Sequence, residues 1–384
     1  MTATRPRVLV LQPALPHYRE PLFGAVSERC RSLTVLYGDG AKRGLHQPAP
    51  PRRAFTAAPV RHTAVGPIWW MPAMWEAPDR ARCDVAVFSW NTRYVQLVPG
   101  LLRARRRSVA TVAWGHGYSK RERPWRRALR DMAARAADVV LTYNDTAAQA
   151  LVARGFDPAR VVVAPNAMDQ TEIQAARSRW LDTGALAAWQ DGANLRGRPT
   201  ALYVSRLLFA HDLEVLLDAW RVVRGSVPEA VLVIVGDGPA RAELEAYARR
   251  LGLDDAVRFL GAIYGEERLA PLFLTATVFA FPRRIGLSLH HAFGYGLPVV
   301  AFDDPTRHGP EFAILRDGVN GVIVREDDGS GLADALVAVL RDPSGARRMG
   351  EVGRQLVLGE YSFDAMVDGF VRAIDRAREL ARAA

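Results

Sequence analysis

The chain has 384 residues, 49% of them hydrophobic and 24% charged. At roughly 100–200 residues per domain, that length suits two domains, with enough apolar material for a sizeable core. Two cysteines, Cys30 and Cys83, exclude a disulfide framework and a cysteine-built metal cluster and fit a reducing compartment. The net charge is +10 and uneven: residues 1–175 carry 26 Lys+Arg against 13 Asp+Glu, and residues 176–384 carry 25 against 28. The basic first half, with clusters "RARRR" (103–107) and "KRERPWRRALR" (120–130), points to a polyanionic partner or to surface arginines scattered without function. An anionic membrane surface suits it better than nucleic acid, because no nucleic-acid motif and no interleaved stacking aromatics accompany the charge.

In chain order, "RVLVLQ" (7–12) reads as a first buried strand. Its apolar core from Val8 to Leu11 is cut short by Pro13, too short for a signal peptide or a membrane span. "DVAVFSW" (84–90), "SVATVAW" (108–114), "DVVLTYN" (138–144) and "RVVVAPN" (160–166) follow at crossover spacing with helical segments between them. Short apolar strands separated by helices predict a doubly wound parallel sheet. Residues 168–198 turn polar and strandless, so the expected division is a first domain over 1–175, a linker over 176–198, a second domain over 199–360 and a C-terminal helix over 361–384 packing back toward the first domain. The second series of strands is "TALYVSRL" (200–207), "AVLVIVGDG" (230–238), "VRFLGAI" (257–263), "TVFAFP" (277–282), "LPVVAF" (297–302) and "GVIV" (321–324). Helices are expected over 211–225, 239–251 and 331–381.

Candidate ligand residues lie where these strands end, since open parallel sheets bind ligands beyond their carboxyl ends. Arg206 follows "ALYVS" directly; it is either a structural ion-pair partner or a phosphate ligand, with His211 five residues on as a second donor. Gly236 and Gly238 in "VIVGDGP" allow a sharp turn and a close backbone approach. In "FPRRIGLSLHHAFGYGLPVV" (281–300), Gly286 precedes a helix starting near Leu287 or Ser288, and Arg283 and Arg284 lie just upstream. Free amides at such a helix end and adjacent guanidinium groups favour a diphosphate. His290 and His291 are adjacent, point about 100° apart on a helix and form no metal motif. In the first half, "AWGHGYSK" (113–120) sets His116 between two glycines at a strand end, either facing a substrate or bonded within its loop. "PALPHYREPLF" (13–23) places Tyr18 and Arg19 where they line an acceptor site or stiffen a connection. "GPIWWMPAMWEAP" (66–78) is a core-packing loop, an interfacial anchor or an apolar acceptor groove.

Taken in order, "YVSRL", "VIVGDGP", "RFLG", "GLPVVAFDDP", "GPEFAILRDGVNGVIV" and "LADALVAVLRDPSGARRMG", with "PHYREPLF", "WGHG" and "APNAMD" before them, resemble the family-4 glycosyltransferases. The resemblance implies the GT-B fold: α/β, two facing Rossmann-like doubly wound parallel-sheet domains with an interdomain cleft. It implies a nucleotide diphosphate sugar in the second domain, an acceptor in the first, transfer of a hexose-type sugar with retention, and no metal or other cofactor. The base is then expected near Gly261 and Ile263, and the diphosphate at Arg206, Gly286, Leu287 and Ser288. Two departures stand out against the family pattern. Arg283 and His291 occupy the places of two glutamates eight apart, and His211 occupies that of a lysine. Glu311 in "GPEF" matches a further family glutamate. His116, Arg206 and His211 are the expected catalytic residues; Arg283 strengthens the grip on the diphosphate and His291 bonds a ribose. A cytoplasmic enzyme, peripheral on the inner membrane face, with an unidentified acceptor for which a lipid-linked molecule is one candidate, is the reading these features favour. A non-catalytic nucleotide-sugar binder or partner subunit and a nucleotide-sugar epimerase are the alternatives.

Overall fold

The structure is a computed structural model that describes residues 4–38, 54–117, 123–326, 328 and 330–383. Residues 118–122, which belong to two of the segments singled out above, lie outside the described residues. The chain divides into two compact units, Met1–Asn166 with Asp364–Ala384, and Ala167–Phe363.

The strands of the first unit are β1 (Arg7–Gln12), β2 (Ser32–Gly38), β3 (Thr56–Val60), β4 (Thr63–Val65), β5 (Ile68–Trp70), β6 (Val85–Ser89), β7 (Ala110–Trp114), β8 (Val139–Thr142) and β9 (Val161–Val163). Seven of them form a parallel sheet in the order β3-β2-β1-β6-β7-β8-β9. β4 and β5 make a separate antiparallel hairpin. The inner strands are apolar on both faces, as helices on either side of a parallel sheet require: Val8 to Leu11 and Val85 to Phe88 are buried throughout. Pro59 is tolerated in β3 because that strand lies at the sheet edge. Asn144 caps the helix Asp145–Val152 by accepting the Ala147 N–H at 2.9 Å. Cys30 and Cys83 are free and buried, and burial pushes the Cys30 thiol up to about 11.

The second unit carries β10 (Thr200–Val204), β11 (Val231–Val235), β12 (Val257–Gly261), β13 (Val278–Ala280), β14 (Val299–Phe302) and β15 (Gly321–Val324). They form one parallel sheet in the order β12-β11-β10-β13-β14-β15. Every strand of the second series expected from sequence is present. Residues 176–198 do not form a linker. Helices Thr171–Asp182 and Ala185–Gly192 group with the second unit and are bonded into it. The Trp180 indole N–H donates to the Glu267 carbonyl at 3.0 Å and the Gln174 amide donates to the Gly294 carbonyl at 2.7 Å.

The last helix, Phe363–Ala383, counts with the first unit from Asp364 onward. Phe370, fully buried, sits edge-on to Trp114 at 5.0 Å and to Phe23 at 6.4 Å between ring centroids. Gly369 lies against the Val163 carbonyl and Ala164, where a Cβ would collide with backbone. Truncating Phe370 to alanine leaves a void beside the Trp114 and Phe23 rings, so Phe370→Ala is expected to lower unfolding free energy by about 3–5 kcal/mol in denaturant titrations. A cost below about 1 kcal/mol would show that this helix does not share the first unit's core.

Candidate functional site

In both sheets the strand order reverses once, between β1 and β6 and between β10 and β13. Loops leaving the two strands at such a point diverge to opposite faces and open a crevice beyond the carboxyl ends. Arg206, Arg283, Arg284 and Gly286 follow the strands of the second reversal, and Tyr18, Arg19 and His116 lie by the first.

In the second unit, Arg206 is exposed two residues beyond β10, and Arg283, Arg284 and Gly286 follow β13. The loop after β11 is stitched to them through its backbone. Leu207 N–H donates to the Asp237 carbonyl at 3.0 Å and Gly236 N–H donates to the Gly261 carbonyl at 2.8 Å. Gly236 and Gly238 have φ of 146° and 156°, and a Cβ on either would overlap the Ser205 or Leu207 carbonyl. The close approach read from "GDG" is therefore to a neighbouring strand end.

Arg283 is held by carboxylates of the chain itself. Its guanidinium lies 3.2 Å from Asp212 and 2.9 Å from Glu326, and it covers the Phe302 ring at 5.3 Å. Arg307 shares Glu326 at 2.8 Å. Arg284 is exposed and has φ of 63°, in the left-handed region that L side chains avoid. Asp212, at φ 47°, does the same at the end of the turn that carries His211. His211 Nδ1 lies 3.0 Å from the Tyr203 hydroxyl, and Tyr203 stacks on Phe281 at 4.6 Å. Burial pushes the His211 imidazole below its ordinary value; the Arg284 charge adds to this and Asp212 opposes it.

The helix Ser288–Gly294 begins where expected, with Leu287 as its N-cap and no side-chain cap. Its entrance is braced by His308, a residue that sequence reasoning missed. The buried His308 ring accepts the Ile285 N–H at 3.2 Å, lies 3.0 Å from the Phe302 carbonyl and stacks on Phe312. Glu311 is buried with its carboxylate against Gly286 and Gly309. His291 donates to the Glu266 carboxylate at 2.9 Å, which also accepts the Tyr295 hydroxyl at 2.8 Å. Burial alone would raise the Glu266 carboxyl, but His291 and Tyr295 outweigh it and hold it below the usual glutamate range. Gly261, buried, ends β12, and Ile263, half-buried, lies on the loop from there to Glu266.

In the first unit a cavity of about 650 Å³ opens beyond β1, β6 and β7. His116, Tyr18 and Arg19 all line it. The exposed His116 ring lies 4.8 Å from Tyr143, and Arg19 spreads over Trp114 at 4.9 Å and Tyr143 at 5.4 Å.

The family model described as glycosyl transferases group 1 matches residues 198–342, and the model described as glycosyltransferase family 4 matches residues 28–172. The chain belongs to the family-4, group 1 glycosyltransferases. A GDP-mannose-dependent alpha-(1-6)-phosphatidylinositol monomannoside mannosyltransferase of Mycobacterium tuberculosis is 31% identical over 51% of this chain and 53% of the relative. A D-inositol 3-phosphate glycosyltransferase of Geodermatophilus obscurus is 27% identical over 85% of this chain and 71% of its own. The chain spans about half the length of the first curated relatives it matches. Among solved structures, Anabaena HepE in complex with UDP superposes with a TM-score of 0.73 at 18% identity, over 96% of this chain and 99% of that one. Sucrose-phosphate synthase from Thermosynechococcus elongatus gives 0.69 at 18%, over 98% and 100%. The two parallel-sheet units are those of the GT-B glycosyltransferases.

Two outcomes are expected for this family member. An L residue in the left-handed region costs about 1–2 kcal/mol, so Arg284→Gly is expected to raise unfolding free energy by roughly 1 kcal/mol after glycine's own entropy loss. Destabilisation by that variant would mean that the Arg284 side chain anchors the loop. His211, depressed in the folded state, supports stability fully above its ordinary value of about 6.5, and that support is lost as pH falls through the lower folded value. Unfolding midpoints of His211→Gln should therefore fall less than those of the parent between pH 7 and pH 5; parallel curves would contradict this.

Proposed function

We propose that the chain transfers a hexose-type sugar from a nucleotide diphosphate sugar to an acceptor hydroxyl with retention of anomeric configuration. The donor's diphosphate sits at the reversal between β10 and β13, and the acceptor occupies the first unit's cavity. One observation carries this reading: Arg206, Arg284 and His211 collect at the carboxyl ends of β10 and β13 in a unit that matches the group 1 glycosyltransferases. Relatives support the reaction class, with names that specify mannosyl transfer from GDP-mannose, lipopolysaccharide core synthesis and kanosaminyl transfer. Solved neighbours in complex with UDP and UDP-glucose support a nucleotide-sugar donor.

In the proposed step the acceptor oxygen bonds to the anomeric carbon as the bond from that carbon to the diphosphate oxygen breaks. The acceptor's proton passes to the departing diphosphate. Catalysis consists of meeting the charge that develops on that leaving group with donors already in place. Arg206 and Arg284 supply guanidinium groups in the role a divalent cation would otherwise take. His211, neutral through burial, donates a hydrogen bond. Arg283 acts as a positioning residue through Asp212 and Glu326, and Glu266 holds the His291 ring beside the nucleotide. His116 orients the acceptor. The protein works in the cytoplasm against the inner membrane face.

A second reading, a nucleotide-sugar binder without transfer, is favoured by the engagement of Arg283 and His291 with carboxylates of the chain itself. Release of nucleotide diphosphate from a panel of nucleotide sugars separates the two, because only an active enzyme releases it. Arg206→Ala is expected to lower kcat about 10²–10³-fold, the usual cost of one leaving-group donor, and turnover should survive a chelator. Full turnover by Arg206→Ala and Arg284→Ala alike would overturn the proposal.

A further inference from the structure

The first unit's cavity has a chemical bias that the reaction class does not explain. Among the described residues its lining includes Arg19, Arg93, Arg126, Arg130 and His116 and no carboxylate. Elsewhere in the same unit several arginines are matched with acids: Arg7 with Asp84, Arg105 with Asp138, Arg107 with Asp79 and Arg154 with Asp131, all within 3.2 Å. Arg19 is treated differently. Its guanidinium lies over Tyr18, Trp114 and Tyr143, and one nitrogen, Nη2, reaches the Tyr143 hydroxyl at a long 3.4 Å. The other, Nη1, is buried with no hydrogen-bond acceptor among the described residues. Aromatic faces hold a cation in place but accept none of its N–H bonds in the plane of the fork. A buried charged donor without an acceptor is a standing cost unless a ligand satisfies it. The planar fork suits a bidentate oxyanion, and a dianion suits a cavity with further guanidinium groups on its walls.

Beside this cavity runs an apolar groove of about 350 Å³ lined by Trp70, Trp75, Pro72, Pro99 and Val95, with the exposed Glu76 at its edge. Val95 lines both spaces, and β5 contributes Ile68 to the cavity and Trp70 to the groove. Alternation along β5 turns Trp69 into the core and leaves Trp70 half exposed, at 50%. Trp75 is 41% exposed and lies under the Arg103 guanidinium at 4.5 Å. A cationic cavity adjoining a tryptophan-lined groove, with Val95 in the lining of both, matches a molecule with a charged head and an apolar chain.

We propose that the acceptor is an anionic amphiphile, with a phosphate-type oxyanion seated on Arg19 and an apolar chain lying in the groove between Trp70 and Trp75. This rests on the reading of the first unit as the acceptor site. The test is calorimetric titration of the full chain with decyl phosphate below its micelle threshold, decyl maltoside, inorganic phosphate and, separately, UDP and GDP. Decyl phosphate is expected to bind at least tenfold tighter than decyl maltoside or inorganic phosphate, with an affinity that falls as salt rises. Arg19→Gln should weaken decyl phosphate at least tenfold, and Arg19→Lys, which keeps the charge and guards against a folding defect, should retain part of that loss. Trp75→Ala should weaken decyl phosphate and leave inorganic phosphate unchanged. Equal binding of decyl maltoside and decyl phosphate, or unchanged binding by Arg19→Gln, would overturn the anionic head. Equal binding of inorganic phosphate and decyl phosphate would overturn the chain. Nucleotide binding without decyl phosphate binding defeats this inference alone; decyl phosphate binding with neither nucleotide bound defeats the proposed donor site alone.

Discussion

The Arg283 guanidinium, held between Asp212 and Glu326, is the interaction on which the second unit's site depends. Its three residues come from loops that follow β10, β13 and β15. The sheet brings these strand ends together, but among the described residues no backbone hydrogen bond joins the loop after β10 to the loop after β13. A guanidinium that gives one nitrogen to each of two carboxylates supplies that tie, and the Phe302 ring beneath it excludes water from one side. Two adjacent arginines consequently do different work. Arg283 turns inward to hold the frame, and the left-handed backbone at Arg284 turns the next side chain outward beside His211. Strain of this kind persists where the surroundings over-determine it, here through Arg283 on one side and the His308 bond to Ile285 on the other.

The first unit solves the same topological problem with different chemistry. Its reversal between β1 and β6 also opens a crevice, but the walls are aromatic and the charge is carried by arginines laid over rings. The excess of basic residues in the first half is thus partly absorbed into structure, through Arg105 to Asp138 and Arg107 to Asp79, and partly gathered around one cavity. The paired arginines are structural, whereas the cavity lining sets arginines together with no carboxylate among the described residues.

Much of this was legible in the residues. The inner strands announced themselves as apolar runs because both of their faces are buried, and residues directly after them, such as Arg206 and His116, could be placed at the ligand end of the sheet. The edge was harder to read. β2 and β3 mix polar residues with apolar ones, and Pro59 argues against a strand unless the strand is at an edge. The tryptophan-rich segment defeated any single reading because it serves two purposes: Trp69, Met71 and Met74 are core, whereas Trp70 and Trp75 face outward. Partners distant in sequence were invisible. Arg283 was expected on a diphosphate because nothing near it in the chain pointed to Asp212, 71 residues away. His291 likewise carries no local sign of Glu266, which brings a carboxylate to that side chain from another helix.

The decisive observation is where a donor's diphosphate binds. In crystals of the full chain soaked with UDP-glucose or GDP-mannose, the diphosphate oxygens should lie within hydrogen-bond distance of Arg206 and Arg284 at the ends of β10 and β13, with Arg283 still paired to Asp212 and Glu326. Density for the diphosphate elsewhere on the chain, or Arg283 released from both carboxylates to bind it, would contradict this division of roles.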